Sequence, residues 1–175
     1  AFFAYNDTDV APDGYEAAEN HSGTAFMNVD IMKKTVSEAD SQVDFVIVSM
    51  HSGKEYVPKP NTSQTLFAHS AVDAGADLVI GHHPHVVQTA EKYQGKYIFY
   101  SLGNFVFDQM WSNETRLGLA VKFVFQKEGI SDISFVPVLI EDYAKPKPLD
   151  GDAAREVLKK LQFPEFEGLE ELSPI

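Results

Sequence analysis

Phe45-Val46-Ile47-Val48-Ser49-Met50-His51-Ser52-Gly53 and Asp77-Leu78-Val79-Ile80-Gly81-His82-His83-Pro84-His85 are the two stretches from which the fold of this chain can be read. Each is a short, unbroken apolar run, rich in β-branched residues, that ends in histidine and glycine. Runs of this kind are strands buried on both faces. Between them, Asn61 or Thr62 can cap a helix that continues through Ala74, with Leu66, Ala68 and Val72 on its apolar face and Gly75 marking its end. Upstream, Ile31, Met32, Thr35, Val36 and Ala39 recur at helical spacing over Asp30 to Ala39. Helices alternating with strands at these intervals imply βαβ units, in which the strands are parallel and their C-terminal ends share one edge.

Working outward, Ala1 opens into an apolar stretch that reads as a strand in progress, with no initiator Met, as in a piece of a longer protein. Asp7 to Gly23 is polar and punctuated by Pro12-Asp13-Gly14, the signature of a long exposed loop. Downstream the pattern changes. Val87 to Tyr93 and Lys96 to Leu102 flank Gln94-Gly95, and Leu117 to Gln126 and Ile130 to Ile140 flank Glu128-Gly129. Each pair reads as a hairpin, so the second half is antiparallel or mixed. Lys145-Pro146-Lys147-Pro148 is expected to break the last strand, and Asp150 or Gly151 to open a helix through Leu161. An acidic stretch with Pro164 and Pro174 follows. No internal repeat is present.

At 175 residues one domain is the default. Hydrophobic residues at 44% and charged residues at 23% are those of a folded globular chain. No run reaches the roughly 18 to 20 apolar residues of a membrane span. Ala1-Phe2-Phe3-Ala4-Tyr5-Asn6 lacks the regions of a signal peptide, so any anchor or signal is expected outside these residues. With 14 basic against 26 acidic residues, a net charge of −12 excludes nucleic acid as an expected partner. The absence of cysteine excludes disulfides and thiolate chemistry, and leaves His, carboxylate, amide or water to hold any metal.

Both histidine groups leave the C-terminal ends of neighbouring parallel strands, the edge at which open α/β sheets bind ligands. His83 and His85, two apart on an extended or turning loop, can aim their rings at one place. Neutral imidazole is a good ligand for zinc, manganese or iron. A lone histidine is more often structural, and His69 and His21 are read that way. Three histidines in four loop positions, with a fourth on the next strand, favour ligation. Ser101 and Asn104, at a strand end, can orient water or substrate or simply stabilise a turn. Glu55 can orient a ligating histidine or be a solvated charge. Phe99, Phe105 and Phe107 read as core.

Three stretches in register carry a resemblance. They are His51-Ser52-Gly53-Lys54-Glu55-Tyr56 with Pro58 and Gln64, Ala74-Gly75-Ala76-Asp77 through Gly81-His82-His83-Pro84-His85-Val86, and Tyr100-Ser101-Leu102-Gly103-Asn104-Phe105-Val106-Phe107-Asp108. The chain resembles the C-terminal part of the bacterial capsule-synthesis family, the CapA or poly-γ-glutamate biosynthesis proteins. That family is similar to calcineurin-like metallophosphoesterases. The resemblance implies an α/β fold of metallophosphatase-like mixed sheets flanked by helices, incomplete at its N-terminus, over residues 1–162, with 163–175 an acidic tail.

It also implies metal ligation by His51, His83 and His85, with His82 taking the place of His83 if the loop register differs by one. His82, Asn104 and Glu55 are the candidate catalytic groups. Two divalent ions (Mn, Zn or Fe) in the intact protein would polarise a phosphoryl or acyl centre and activate a bridging water. Implied partners are an anionic polymer or phosphoester substrate, a membrane synthase complex, the missing N-terminal half and a second copy of the chain. The implied location is the extracellular face of the cell membrane, and the rival class is a non-enzymatic accessory or polymer-binding scaffold. Two departures stand out. Ser52 occupies a position where the family has Trp, which is expected to remove an aromatic wall and widen the pocket. The family's N-terminal aspartate and asparagine-histidine motifs are absent, so this chain alone is expected to bind metal weakly and be inactive, with part of its sheet uncovered.

Overall fold

The computed structural model describes residues 1–162 of the chain; the acidic stretch 163–175 lies outside the described residues. β1 (Phe2–Asn6) leads through a long irregular segment to α1 (Val29–Asp40), then β2 (Ile47–His51), α2 (Thr62–Asp73) and β3 (Leu78–His82). The hairpin of β4 (Ala90–Tyr93) and β5 (Lys96–Phe99) follows, then the short α3 (Asn113–Arg116). The chain continues through β6 (Leu117–Gln126), β7 (Gly129–Glu141), β8 (Lys145–Pro148) and α4 (Gly151–Lys159).

β1, β2, β3 and β5 run parallel in the order β1-β2-β3-β5, and β4 closes the sheet antiparallel to β5. The parallel register sets Asn6, His51 and His82 side by side at the C-terminal edge. β6, β7 and β8 form a second, antiparallel sheet. The fold is thus the mixed α/β arrangement expected, with the hairpin extending the parallel sheet.

Strand alternation divides the core in two. Val46, Val48 and Met50 of the β2 segment face α1 and α2, where they pack with Met32, Val36 and Phe67. On the opposite face Leu78 and Phe99 pack against Leu119 and Phe135 of the second sheet and against Val157, Leu158 and Leu161 of the α4 segment. This second layer covers β3, β5 and part of β2. Phe3 and Tyr5 of β1 turn toward the helices, whereas Phe2 and Ala4 lie open among the described residues.

Asn61 caps α2 through a reciprocal box: its side chain accepts from the Gln64 backbone N–H at 2.8 Å, and the Gln64 side chain accepts from the Asn61 N–H at 3.0 Å.

Three expectations need correction. Leu66 is 59% exposed, and Phe67 and Ala71 take the buried face of α2. Phe105 and Phe107 are exposed, while Phe99 is core as expected. Lys145 to Pro148 does not end the strand region but forms β8, with Pro146 opposite Ile140 and Pro148 opposite Val138. β8 is an edge strand, so the N–H groups that proline lacks can fall on the unpaired side.

The two sheets meet where Gly103 bridges Gly118. A Cβ on Gly118 would lie 1.8 Å from the Asn104 carbonyl oxygen. Gly118→Ala must therefore push the Asn104 segment away, and a loss of about 1–3 kcal/mol is expected from overpacking. Urea denaturation checks this; an unchanged midpoint would show that the two segments can separate freely.

Candidate metal centre

At the shared sheet edge the chain has to turn sharply, and it does so with unusual backbone. His83 (φ 103°), His85 (φ 58°) and Tyr56 (φ 62°) are non-glycine residues in the left-handed region. Such conformations cost of order 1–3 kcal/mol each, and they concentrate at functional sites. Of the extended or turning backbone expected for the His-x-His pair, the structure has the turn. The turn brings the rings together: the centroids of His83 and His85 are 5.8 Å apart, and those of His51 and His83 are 5.0 Å apart. One ligand atom each from Glu55, His83 and His85 lie within 4.8 Å of one another. His51 stands beside this group, and His82 is exposed at the end of β3.

Two imidazoles and a carboxylate suit Zn, Mn or Fe. At metal–ligand distances of about 2.0–2.2 Å, two ligand atoms of one ion lie no more than about 4.4 Å apart, so small side-chain rotations close the set.

The hydrogen bonds fix how His85 presents itself. Asn104 is buried, and its Nδ2 donates to Gln109 Oε1 at 3.1 Å and to the Thr115 carbonyl at 2.8 Å. Its Oδ1 must then accept, 2.8 Å from His85 Nδ1. That assignment puts the proton on Nδ1 and leaves the Nε2 lone pair, 3.9 Å from Glu55 Oε1, free for a ligand. Gln109 continues the chain of bonds, donating from Nε2 to the Tyr56 hydroxyl at 3.2 Å. Asn104 thus sits behind His85 and reaches the centre through that ring.

The loop that carries Glu55 and Tyr56 is held from below by two fully buried amides. Gln64 Nε2 donates to Gln88 Oε1 at 3.0 Å, and Gln88 Nε2 donates to the carbonyls of Val57 at 2.8 Å and Lys59 at 3.1 Å. Gly53 (φ 118°) must be glycine, because a Cβ there would fall 2.7 Å from the Gln64 side chain. The Tyr56 N–H donates to the Pro84 carbonyl at 2.8 Å, which joins this loop to the histidine turn.

Ser52 corrects the expectation of a widened pocket. It is fully buried and donates to Asp7 Oδ2 at 2.5 Å, so it faces inward and forms no part of the wall. The aromatic surroundings of His85 come from Tyr56, Phe107 and, beyond Tyr56, Trp111. Tyr56 was marked only as part of the His51 to Tyr56 family stretch, and no site role was expected of Asp7 or Gln88. Asp7 follows directly on a strand end, which was a usable signal; nothing in the sequence marks Gln88.

Loss of hydration lowers the pKa of His51 below its ordinary value of 6.5, and mutual repulsion with His83, His82 and His85 lowers it further. His83 is also lowered, first by loss of hydration, with Glu55 and Asp7 partly opposing this. Both rings are therefore neutral near pH 7, the state in which imidazole ligates metal.

Histidine-rich turns at the strand ends of a mixed α/β sheet flanked by helices define a protein of the metallophosphatase-like class. The chain belongs to a particular family of that class: the model of the bacterial capsule synthesis protein PGA_cap matches residues 1–109. The chain is 40% identical over 149 residues to the PGA biosynthesis protein CapA of Bacillus subtilis strain 168, covering 85% of the chain and 39% of that relative. It is 40% identical over 146 residues to the capsule biosynthesis protein CapA of Bacillus anthracis, covering 81% of the chain and 35% of the relative. A probable polyglutamine synthesis accessory protein of Mycobacterium tuberculosis strain H37Rv is 31% identical over 109 residues, 58% of the chain and 29% of the relative. The chain thus spans well under half the length of these relatives.

Gln88→Leu removes the donor shared by the Val57 and Lys59 carbonyls and leaves Gln64 Nε2 only its longer bond, 3.4 Å, to the Tyr100 carbonyl. A destabilisation of about 1–3 kcal/mol is expected in urea denaturation, and no change would show that water replaces the amide freely.

The lowered histidines also set a pH dependence. The unfolded chain takes up protons at about pH 6.5, above the folded pKa values, so stability is full above that pH and falls as pH drops through the folded values. Denaturant midpoints of the metal-free protein should decline below about pH 6.5, and His51→Gln should flatten the decline. A curve unaltered by that substitution would remove His51 as a contributor.

Proposed function

We propose that this chain supplies Glu55, His83 and His85, with His51 beside them, to a divalent-metal centre. The protein containing it would act in the synthesis, export or attachment of a capsule polymer of the poly-γ-glutamate type, as a metal-dependent hydrolase or transferase. The observation that carries this reading is the convergence of those three ligand atoms within 4.8 Å at the C-terminal sheet edge. Bound Zn, Mn or Fe, two ions in the intact protein, would polarise a phosphoryl or acyl oxygen and lower the pKa of a coordinated water. Asn104 holds His85 in the tautomer that offers Nε2, and the Gln64–Gln88 pair holds the Glu55 loop in reach. His82, at the end of β3, would exchange protons with substrate or solvent.

An acidic protein handling a polyanion needs local positive charge, which the metal provides. We place the protein at the extracellular face of the membrane, with a membrane synthase and a second copy of the chain as partners and an anchor outside these residues. Among the described residues no helix is long and apolar enough to cross a membrane. A second reading, a non-enzymatic accessory, draws support from the mycobacterial relative, named as a synthesis accessory protein.

Calorimetric titration of the 175-residue chain with zinc tests the centre. Modest, single-site affinity is expected, weakening as pH falls below about 6.5 and dropping about 10- to 100-fold on Asn104→Leu through the loss of His85 orientation. Binding indifferent to His85→Ala would overturn the assignment. Hydrolysis of a generic phosphodiester by the metal-loaded, full-length protein then separates the enzyme from the accessory.

A further inference from the structure

Tyr56 has a second neighbour. Its ring lies 6.1 Å from that of His85, and the residue also lines a cavity of about 250 Å³ that none of the histidines borders. The cavity has an apolar floor of Val86, Val87 and Leu117 and three charged groups: Lys59, Lys160 and Glu114.

Acidic residues outnumber basic ones 26 to 14, and Lys34, Lys96, Lys145, Lys147 and Lys159 all lie within ion-pair distance of carboxylates. Lys33, Lys54, Lys59, Lys122, Lys127 and Lys160 have no ion pair among the described residues, and of these Lys59 and Lys160 line this cavity. Both stand on fixed backbone. The Lys59 carbonyl accepts from Gln88, and the residue after Lys160, fully buried Leu161, accepts from the Ala90 N–H at 2.9 Å. Two unpaired cations on anchored segments, flanking an apolar floor, complement a ligand with carboxylates spaced by methylene groups.

We propose that this cavity is a subsite for a carboxylate-bearing polyamide chain, held by Lys59 and Lys160 and led past Tyr56 to the metal centre. Pockets that enclose whole drug-sized ligands measure about 300–1,000 Å³. A smaller one takes a short segment and leaves the remainder of a polymer outside. Glu114 repels a carboxylate placed beside it and accepts from an amide N–H, so it limits the register in which the chain can lie. The identity of the polyamide rests on the function proposed above; the subsite itself does not need the metal.

The test is calorimetric titration of the 175-residue chain with a short γ-linked glutamate oligomer at low salt. Lys59→Gln and Lys160→Gln should each weaken binding about tenfold, the worth of one charge-assisted bond, and added salt should weaken it further. Oligomer binding should persist without added metal and in the presence of a chelator, so a failed metal centre and a failed subsite give different results. Absence of oligomer binding, or binding indifferent to both lysine substitutions, overturns the proposal. Inorganic phosphate bound as tightly through the same lysines also overturns it.

Discussion

Parallel pairing of β1, β2 and β3 in one register places three strand ends level, and the rest of the site follows from that constraint. At a level edge, each chain must leave the sheet through a turn, and the turns after β2 and β3 have to share the same space. They do so by adopting left-handed backbone at Tyr56, His83 and His85, which ordinary residues take only at a cost. The Tyr56 to Pro84 bond and the Gln64–Gln88 pair offset that cost. Buried amides are well suited to this. Gln88 has three of its hydrogen-bonding positions filled by fixed partners, so it specifies one loop conformation where an apolar side chain would permit several.

Electrostatics at this edge run against the molecule as a whole. A chain of net charge −12 gathers four imidazoles at one edge, where loss of hydration and repulsion from neighbouring rings favour the neutral, ligating form of His51 and His83. The carboxylates nearby have distinct placements. Glu55 is exposed and can swing onto a cation, whereas Asp7 is buried and already accepts from Ser52. Glu55 can therefore serve as a ligand, while Asp7 tempers the field felt by His83.

The three longer helices, the parallel strands and the placement of both histidine groups were legible because each depends on local pattern: period, caps and apolar runs. The cap of α2 was readable to two candidates, Asn61 and Thr62, for the same reason, and it is Asn61. What was not legible depended on contacts distant in sequence. Nothing local distinguishes Gln88 from a surface glutamine, because its partners lie about thirty residues away. The Lys145–Pro148 segment reads as a strand breaker until β7 offers it an edge on which proline does no harm. Ser52 could be noticed as a departure from a family pattern, but its inward direction goes with its bond to Asp7, 45 residues away. Phe105 and Phe107 carry apolar side chains like any core residue, and only the position of their loop makes them exposed.

The match to the family model ends at residue 109, yet the site does not. His85 takes its tautomer from Asn104, and Asn104 can accept from His85 only because its amide nitrogen is occupied by Gln109 and the Thr115 carbonyl. Thr115 in turn donates from Oγ1 to the Gln109 carbonyl at 2.8 Å, which locks the turn between them. Gly118, three residues on, lets the second sheet approach within contact of the Asn104 backbone. The antiparallel sheet is thus more than a cover for the core: it presses the 104–115 segment against the histidine turn and so fixes which nitrogen His85 offers. A truncation near residue 109 would keep every proposed ligand and lose the orientation of one of them.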